Sequence, residues 1–178
     1  MTNNRLLITT TTLLFFLLAA GAFPASAGDQ RPLLFHVKTA LSVDDAQICA
    51  VPNLAWAALA EGRPVTIVFD SSAVTSIAKG FGWRGWIGIT STAMGRAGLP
   101  ERERVSLAEQ LGVPLETVPH NYGEYLHFLK KKGVEIVYNS TMAILYNIPT
   151  SNIDAAARPV GLNEMLKVLH TEGDYLVY

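Results

Sequence analysis

Three short polar clusters, each standing behind an apolar run, are the places in this 178-residue chain where chemistry could be done. They are Lys38, Thr39 and Ser42; Asp70, Ser71 and Ser72; and Asn139, Ser140 and Thr141. Each precedes a segment patterned to begin a helix, and the free N–H groups of a helix N-terminus favour an anion or a polarised oxygen. The same residue types are also ordinary helix caps. The clusters therefore predict either a binding site for a small anion or three capped helices. A nucleophile at such a turn would be a thiolate, and from Asn139 to Met142 there is no cysteine. The only cysteine is Cys49, among Ile48, Ala50 and Val51. Burial there would raise its pKa and leave it inert; the competing reading makes it a nucleophile.

Other patterns point to less. His120, Glu124 and His127 fall on one helical face, opposite Tyr122, Tyr125, Leu126 and Leu129, so the histidines are expected in solvent and no metal is expected. Gly80-Phe81-Gly82-Trp83-Arg84-Gly85 spells G-x-G-x-x-G, but a helix rather than a strand is expected before it, against a dinucleotide site. No cofactor is expected. A chain with 14 basic and 15 acidic residues and no basic stripe excludes a nucleic-acid partner on composition.

Positioning the three clusters requires strands. Leu33 to Val37 and Val65 to Phe69 read as buried strands, and Val134 to Tyr138 as a third, with Pro159-Val160 a minor strand and Tyr175 to Tyr178 the last. Between them the pattern predicts helices over 44–59, kinked or divided at Pro52, and over 73–79, 101–111, 120–132, 142–146 and 162–170. Strands apolar on both faces and alternating with helices indicate a parallel sheet covered on both sides, with ligands beyond its carboxyl ends. The stretch from Gly80 to Gly98 is too glycine-rich for a regular element. With Trp83, Trp86 and Ile87 it reads as a lid or a subunit contact.

The order LLFHV, VTIVFD, YLHFLKKKGVEIVYNSTMAILYNI and VGLNEMLKVLHTEGDYLVY resembles the DsrE/DsrF-like sulfur-relay proteins over nearly all of residues 28–178. The resemblance implies an α/β fold, a three-layer αβα sandwich around a mainly parallel sheet of about five strands. It also implies a homo-oligomer, or a hetero-oligomer with DsrE-like subunits, and a small anionic or sulfur-containing ligand. In sulfur-transferring members a cysteine stands at the position of Asn139, and some carry a second where this chain has Met142. Neither residue forms a thiolate, so the resemblance implies a binding or accessory protein in sulfur-compound metabolism without that transfer. The alternatives are a sulfurtransferase working through Cys49 and a structural subunit paired with an active homologue.

Arg5, the apolar and threonine run from Leu6 to Ala22, and Ala25-Ser26-Ala27 before Gly28 have the layout of a cleaved secretory signal. An uncleaved anchor is the alternative, because the run approaches membrane-spanning length. The expected organisation is a signal over 1–27 and one domain over 28–178, located in the periplasm and off the membrane. N-terminal sequencing of the exported protein should begin at Gly28; residues 1–27 retained in a membrane fraction would establish the anchor instead.

Overall fold

The computed structural model describes residues 31–80, 90–170 and 173–178. The signal segment and Trp83, Trp86 and Ile87 lie outside the described residues. Five strands form one sheet: β1 (Leu33–Val37), β2 (Val65–Phe69), β3 (Glu135–Asn139), β4 (Arg158–Val160) and β5 (Asp174–Val177), in the order β4-β3-β2-β1-β5. Every pairing is parallel, and the register sets Phe35 beside Ile67 and Ile67 beside Ile136. With the side-chain period of two, Phe35, Ile67 and Tyr138 face one side, and Leu34, His36, Val68 and Asn139 face the other.

Stepping from β1 to β4 moves across the sheet in one direction, so right-handed crossovers put the intervening helices on a single face. These are α1 (Asp45–Ala60), α2 (Ala93–Arg96), α3 (Glu101–Leu111), α4 (Tyr122–Lys131) and α5 (Ser140–Leu145). The return to β5, beyond β1, reverses the direction and carries α6 (Leu162–Leu169) to the opposite face. The result is a three-layer αβα sandwich of unequal layers. The thick side is filled by Phe35, Ile67, Phe69, Val51, Leu126 and Leu129. There Trp56 lies 5.7 Å from Tyr125 and 4.6 Å from Phe128, ring centre to ring centre. Among the described residues the thin side buries Leu34, Val68, Val137, Val160 and Met165, with Val168 and Leu169 against them. Leu162 and Leu166 of α6 and Val177 of β5 are left exposed.

Two local expectations are corrected. Pro52 does not divide the first helix in two: α1 runs through it as one element, giving up one i→i−4 hydrogen bond. The segment after β2 is a 3₁₀ helix over Ser71–Ile77 rather than an α-helix over 73–79. Ser72 Oγ accepts the Ala40 N–H at 3.0 Å and Ser76 Oγ accepts the Leu41 N–H at 2.8 Å, which draws the segment tightly against the loop after β1. Among the described residues no helix is long and apolar enough to cross a membrane.

The glycine-rich stretch also contributes α2, which packs on the first turn of α4. A Cβ on Gly123 would stand 2.8 Å from Gly95 Cα and 3.1 Å from Gly95 N, both backbone atoms. Gly123→Ala should therefore destabilise the fold by about 1–3 kcal/mol through overpacking, read as a lower melting temperature. An unchanged melting temperature would mean that α2 can slide away from α4 without loss.

Candidate functional site

A row of polar side chains runs on the α6 face of the sheet, from the carboxyl ends of β3, β2 and β1 to Tyr175, which lies beside Leu34 near the start of β5. Asp70, immediately after β2, is its centre. Its Oδ1 accepts the Ser71 N–H at 2.7 Å and Asn139 Nδ2–H at 2.8 Å. Its Oδ2 lies 2.9 Å from Nε2 of the buried His36 on β1. A carboxylate only accepts, so this contact places a proton on Nε2. Nδ1 of the same ring is hydrogen-bonded to the Tyr175 hydroxyl of β5, and when the ring is neutral the hydroxyl is the donor. Burial pushes the Asp70 carboxyl up, but the hydrogen bonds from His36, Ser71 and Asn139, followed by the charge interaction with His36, outweigh it and hold the group below its ordinary value. The Tyr175 phenol is pushed up, first by burial and then by the Asp70 charge, which suits a donor.

Asn139, the last residue of β3, closes the row. Its Oδ1 accepts the N–H groups of Thr141 at 3.0 Å and Met142 at 3.4 Å, the free donors of the first turn of α5. Both ends of its carboxamide are thus committed, one to the helix and one to Asp70. Ser71 is held at φ 49°, in the left-handed region, by the carboxylate that precedes it.

Of the residues expected to bind a ligand, the structure joins Asp70, Ser71, Asn139 and the Thr141 backbone directly. Ser72 works elsewhere, donating its hydroxyl to the Lys38 carbonyl at 3.1 Å. Ser140 donates to the Val160 carbonyl at 2.9 Å, fastening β3 to β4. Lys38 is exposed and Thr39 half-buried. Glu124 and His127 of α4 face solvent, as does His120, which lies just before the helix rather than on it; the Glu124 side chain accepts the His120 N–H at 3.1 Å, and His127 lies 2.8 Å from Asp154. No group of three or more potential metal ligands occurs among the described residues.

A separate cavity of about 840 Å³ lies on the opposite, thick side of the sheet, bounded by the loop after β1, α1, the 3₁₀ helix and α3. Cys49 stands on its wall. The side chain is half-buried: it packs against the main core and also borders this opening, so it is less enclosed than a core position would be. Burial nevertheless pushes the thiol up; a hydrogen bond with Tyr122 works against this, and the charges of Glu103 and Asp45 add to the rise. The Tyr122 hydroxyl lies 3.1 and 3.0 Å from the two Glu103 carboxylate oxygens. Asn53 Nδ2 donates to the same carboxylate at 3.0 Å.

No protein-family model matches the chain, and no curated protein matches it. Solved structures do. One is a protein of unknown function, MTH1491, from Methanobacterium thermoautotrophicum, with a TM-score of 0.53, 10% identity, and coverage of 83% of this chain and 99% of that one. Another is the ychN protein of E. coli, with a TM-score of 0.54, 12% identity and the same coverage. Both belong to the DsrE/DsrF-like fold family. The chain has the DsrE-like fold.

Within that fold, sequence reasoning located Asp70 and Asn139 but missed His36 and Tyr175. The signal was parity: in strands two residues apart per face, His36 falls on the same side as Asp70 and Asn139. The cluster of Asn53, Glu103 and Tyr122 comes from three helices and carries no such signal.

Removing the charge tests the row. Asp70→Asn leaves an amide that cannot accept from His36, Asn139 and Ser71 together, at a loss of about 2 kcal/mol at neutral pH. The folded carboxyl titrates below the unfolded value of about 3.9. Its stabilisation is therefore complete above that value and is lost as pH falls through the folded pKa. Denaturant melts at a series of pH values should show the gap between wild type and variant narrowing below about pH 4.

Proposed function

We propose that this chain is an exported, periplasmic binding or accessory protein of sulfur-compound metabolism that does not perform cysteine-based sulfur transfer at the end of its third strand. The observation that carries this reading is the closed carboxamide of Asn139. A thiolate at that position would draw stability from the N–H groups at the start of α5, and these are taken by Asn139 Oδ1. It would also face the Asp70 carboxylate, which Asn139 Nδ2 now satisfies. A negative charge beside a thiol raises its pKa. The strand end is thus built around an internal anion and an amide.

Self-association belongs to the same proposal. Leu162, Leu166 and Val177 on the thin side, and Ile144 and Leu145 on α5, expose apolar surface of the kind that contact surfaces bury. A second DsrE-like chain is the partner we assign to it.

The test is sulfane-sulfur uptake from thiosulfate or polysulfide, read by intact mass. Wild-type protein should gain no stable increment of about 32 Da, one sulfur atom. Asn139→Cys should label slowly, and Asn139→Cys combined with Asp70→Asn about tenfold faster, because the neighbouring charge is gone. A stable adduct on wild type that disappears in Cys49→Ser would overturn the proposal and make the protein a sulfur carrier acting through Cys49.

A further inference from the structure

The polar row on the α6 face ends on a side chain that a purely structural network has no need to expose. Tyr175 is 46% exposed on β5, the edge strand of the sheet, while the histidine it bonds is buried. In the run LLFHV the other four residues are apolar and buried, and a fifth would fill the same layer with no polar ring to satisfy. Burying an imidazole there costs desolvation that only its hydrogen bonds offset. What the imidazole connects is a fixed carboxylate on one side and a phenol open to solvent on the other.

The bonds run in one direction. Asp70 takes the proton of Nε2, so the neutral ring presents the lone pair of Nδ1 to the Tyr175 hydroxyl. The other oxygen of Asp70 is held by the Ser71 N–H and the Asn139 amide, which fixes the carboxylate and through it the ring. The rings of His36 and Tyr175 meet edge to face, 5.7 Å apart at 67°. A hydroxyl that donates to a base, with the base oriented by a third group, is the arrangement that activates a weak nucleophile. The resting phenol stays protonated, since burial and then the Asp70 charge push its pKa up. Its proton therefore leaves during attack.

The surroundings select the substrate. In the register Leu34 stands beside Tyr175, and Val177, which is exposed, stands beside His36. The flank is apolar, and the one charge in the relay is negative. A phosphate or sulfate ester would bring its own negative charge toward Asp70, whereas an uncharged acyl group would not.

We propose that Tyr175 is a nucleophile that accepts the acyl group of an uncharged activated ester, with His36 as its general base and Asp70 as the residue that positions the base. Tyr175 Oη bonds to the carbonyl carbon as its proton passes to His36 Nδ1. The bond from that carbon to the leaving oxygen then breaks, and the proton moves from Nδ1 to the departing oxygen. The products are an acyl-tyrosine and an alcohol, and Asp70 stabilises the imidazolium between the two transfers. The activity uses no thiol and goes beyond the binding role proposed above.

The probe is p-nitrophenyl acetate. Release of p-nitrophenol by the wild-type protein should accompany the gain of one acetyl group, mapped to Tyr175 and removed by hydroxylamine as an aryl ester is. Tyr146, exposed to a similar 37%, should label far more slowly, and Tyr175→Phe should lose the adduct. His36→Gln should slow acetylation of Tyr175 about a hundredfold, with circular dichroism as the control for folding. Asp70→Asn should lower the saturating rate and leave the half-saturating ester concentration unchanged, a split that a merely structural role would not produce. If His36→Gln does not fold, the wild-type rate in heavy water replaces it: the rate should fall, because a proton moves during attack. No adduct on Tyr175, an adduct confined to Cys49 or to lysines, an equal Tyr175 rate in folded His36→Gln, or an unchanged rate in heavy water would overturn the assignment.

Discussion

A half-hidden carboxylate has to be satisfied at the seam of the sheet, and the carboxyl end of the fold is organised around that need. Asp70 is charged where water reaches it poorly, so each of its oxygens must meet a donor. One donor comes from the strand on either side, His36 from β1 and Asn139 from β3, and the third from the peptide that follows. His36 extends the chain of bonds to Tyr175 on β5, while Asn139 extends it into α5. Removing any member leaves a polar group facing the apolar layer of Val68, Val137 and Met165. The row thus ties edge strand β5, two central strands and a helix to one charge.

Much of this was legible in the sequence. The strands announced themselves because a sheet buried on both faces needs continuous apolar runs, and VTIVF and LLFHV have little other use. The helix of residues 122–131 was legible from its stripe of Tyr122, Tyr125, Leu126 and Leu129, all buried. His36 was not, because a histidine inside such a run looks like an interruption until its neighbours in the register are known. The 3₁₀ helix after β2 was hidden for a related reason. Ser72 is read locally as part of a helix cap and Ser76 carries no local signal, yet both bond across to the backbone of residues 40 and 41. The cavity was hidden altogether, since Cys49, Asn53, Glu103 and Tyr122 meet only once three helices are packed.

The unequal layers follow from topology rather than composition. Among the described residues, four strands laid down in one direction put α1 to α5 on one face, and a single reversal puts α6 on the other. The thick face has room for a cavity between helices, the usual place for a small ligand. The thin face is closed at its centre by Met165 and by the polar row, and left open at its margin, where Leu162, Leu166 and Tyr175 are exposed. A tyrosine that is apolar on its ring and tied to His36 through its hydroxyl can be exposed there without leaving its polar end unsatisfied.

The two sites are joined through one short element. Asp70 holds Ser71 in the left-handed conformation, and that bend starts the 3₁₀ helix. The helix carries Thr75 and Ser76 to the cavity wall, where Ser76 accepts the N–H of Leu41, another wall residue. A change at Asp70 therefore acts on both faces: it frees His36 and Asn139 on one side and loosens the cavity wall on the other. An amide can donate to Asp70 and accept from α5 at once, which a thiolate cannot, so Asn139 satisfies the strand-end carboxylate and the first turn of α5 together.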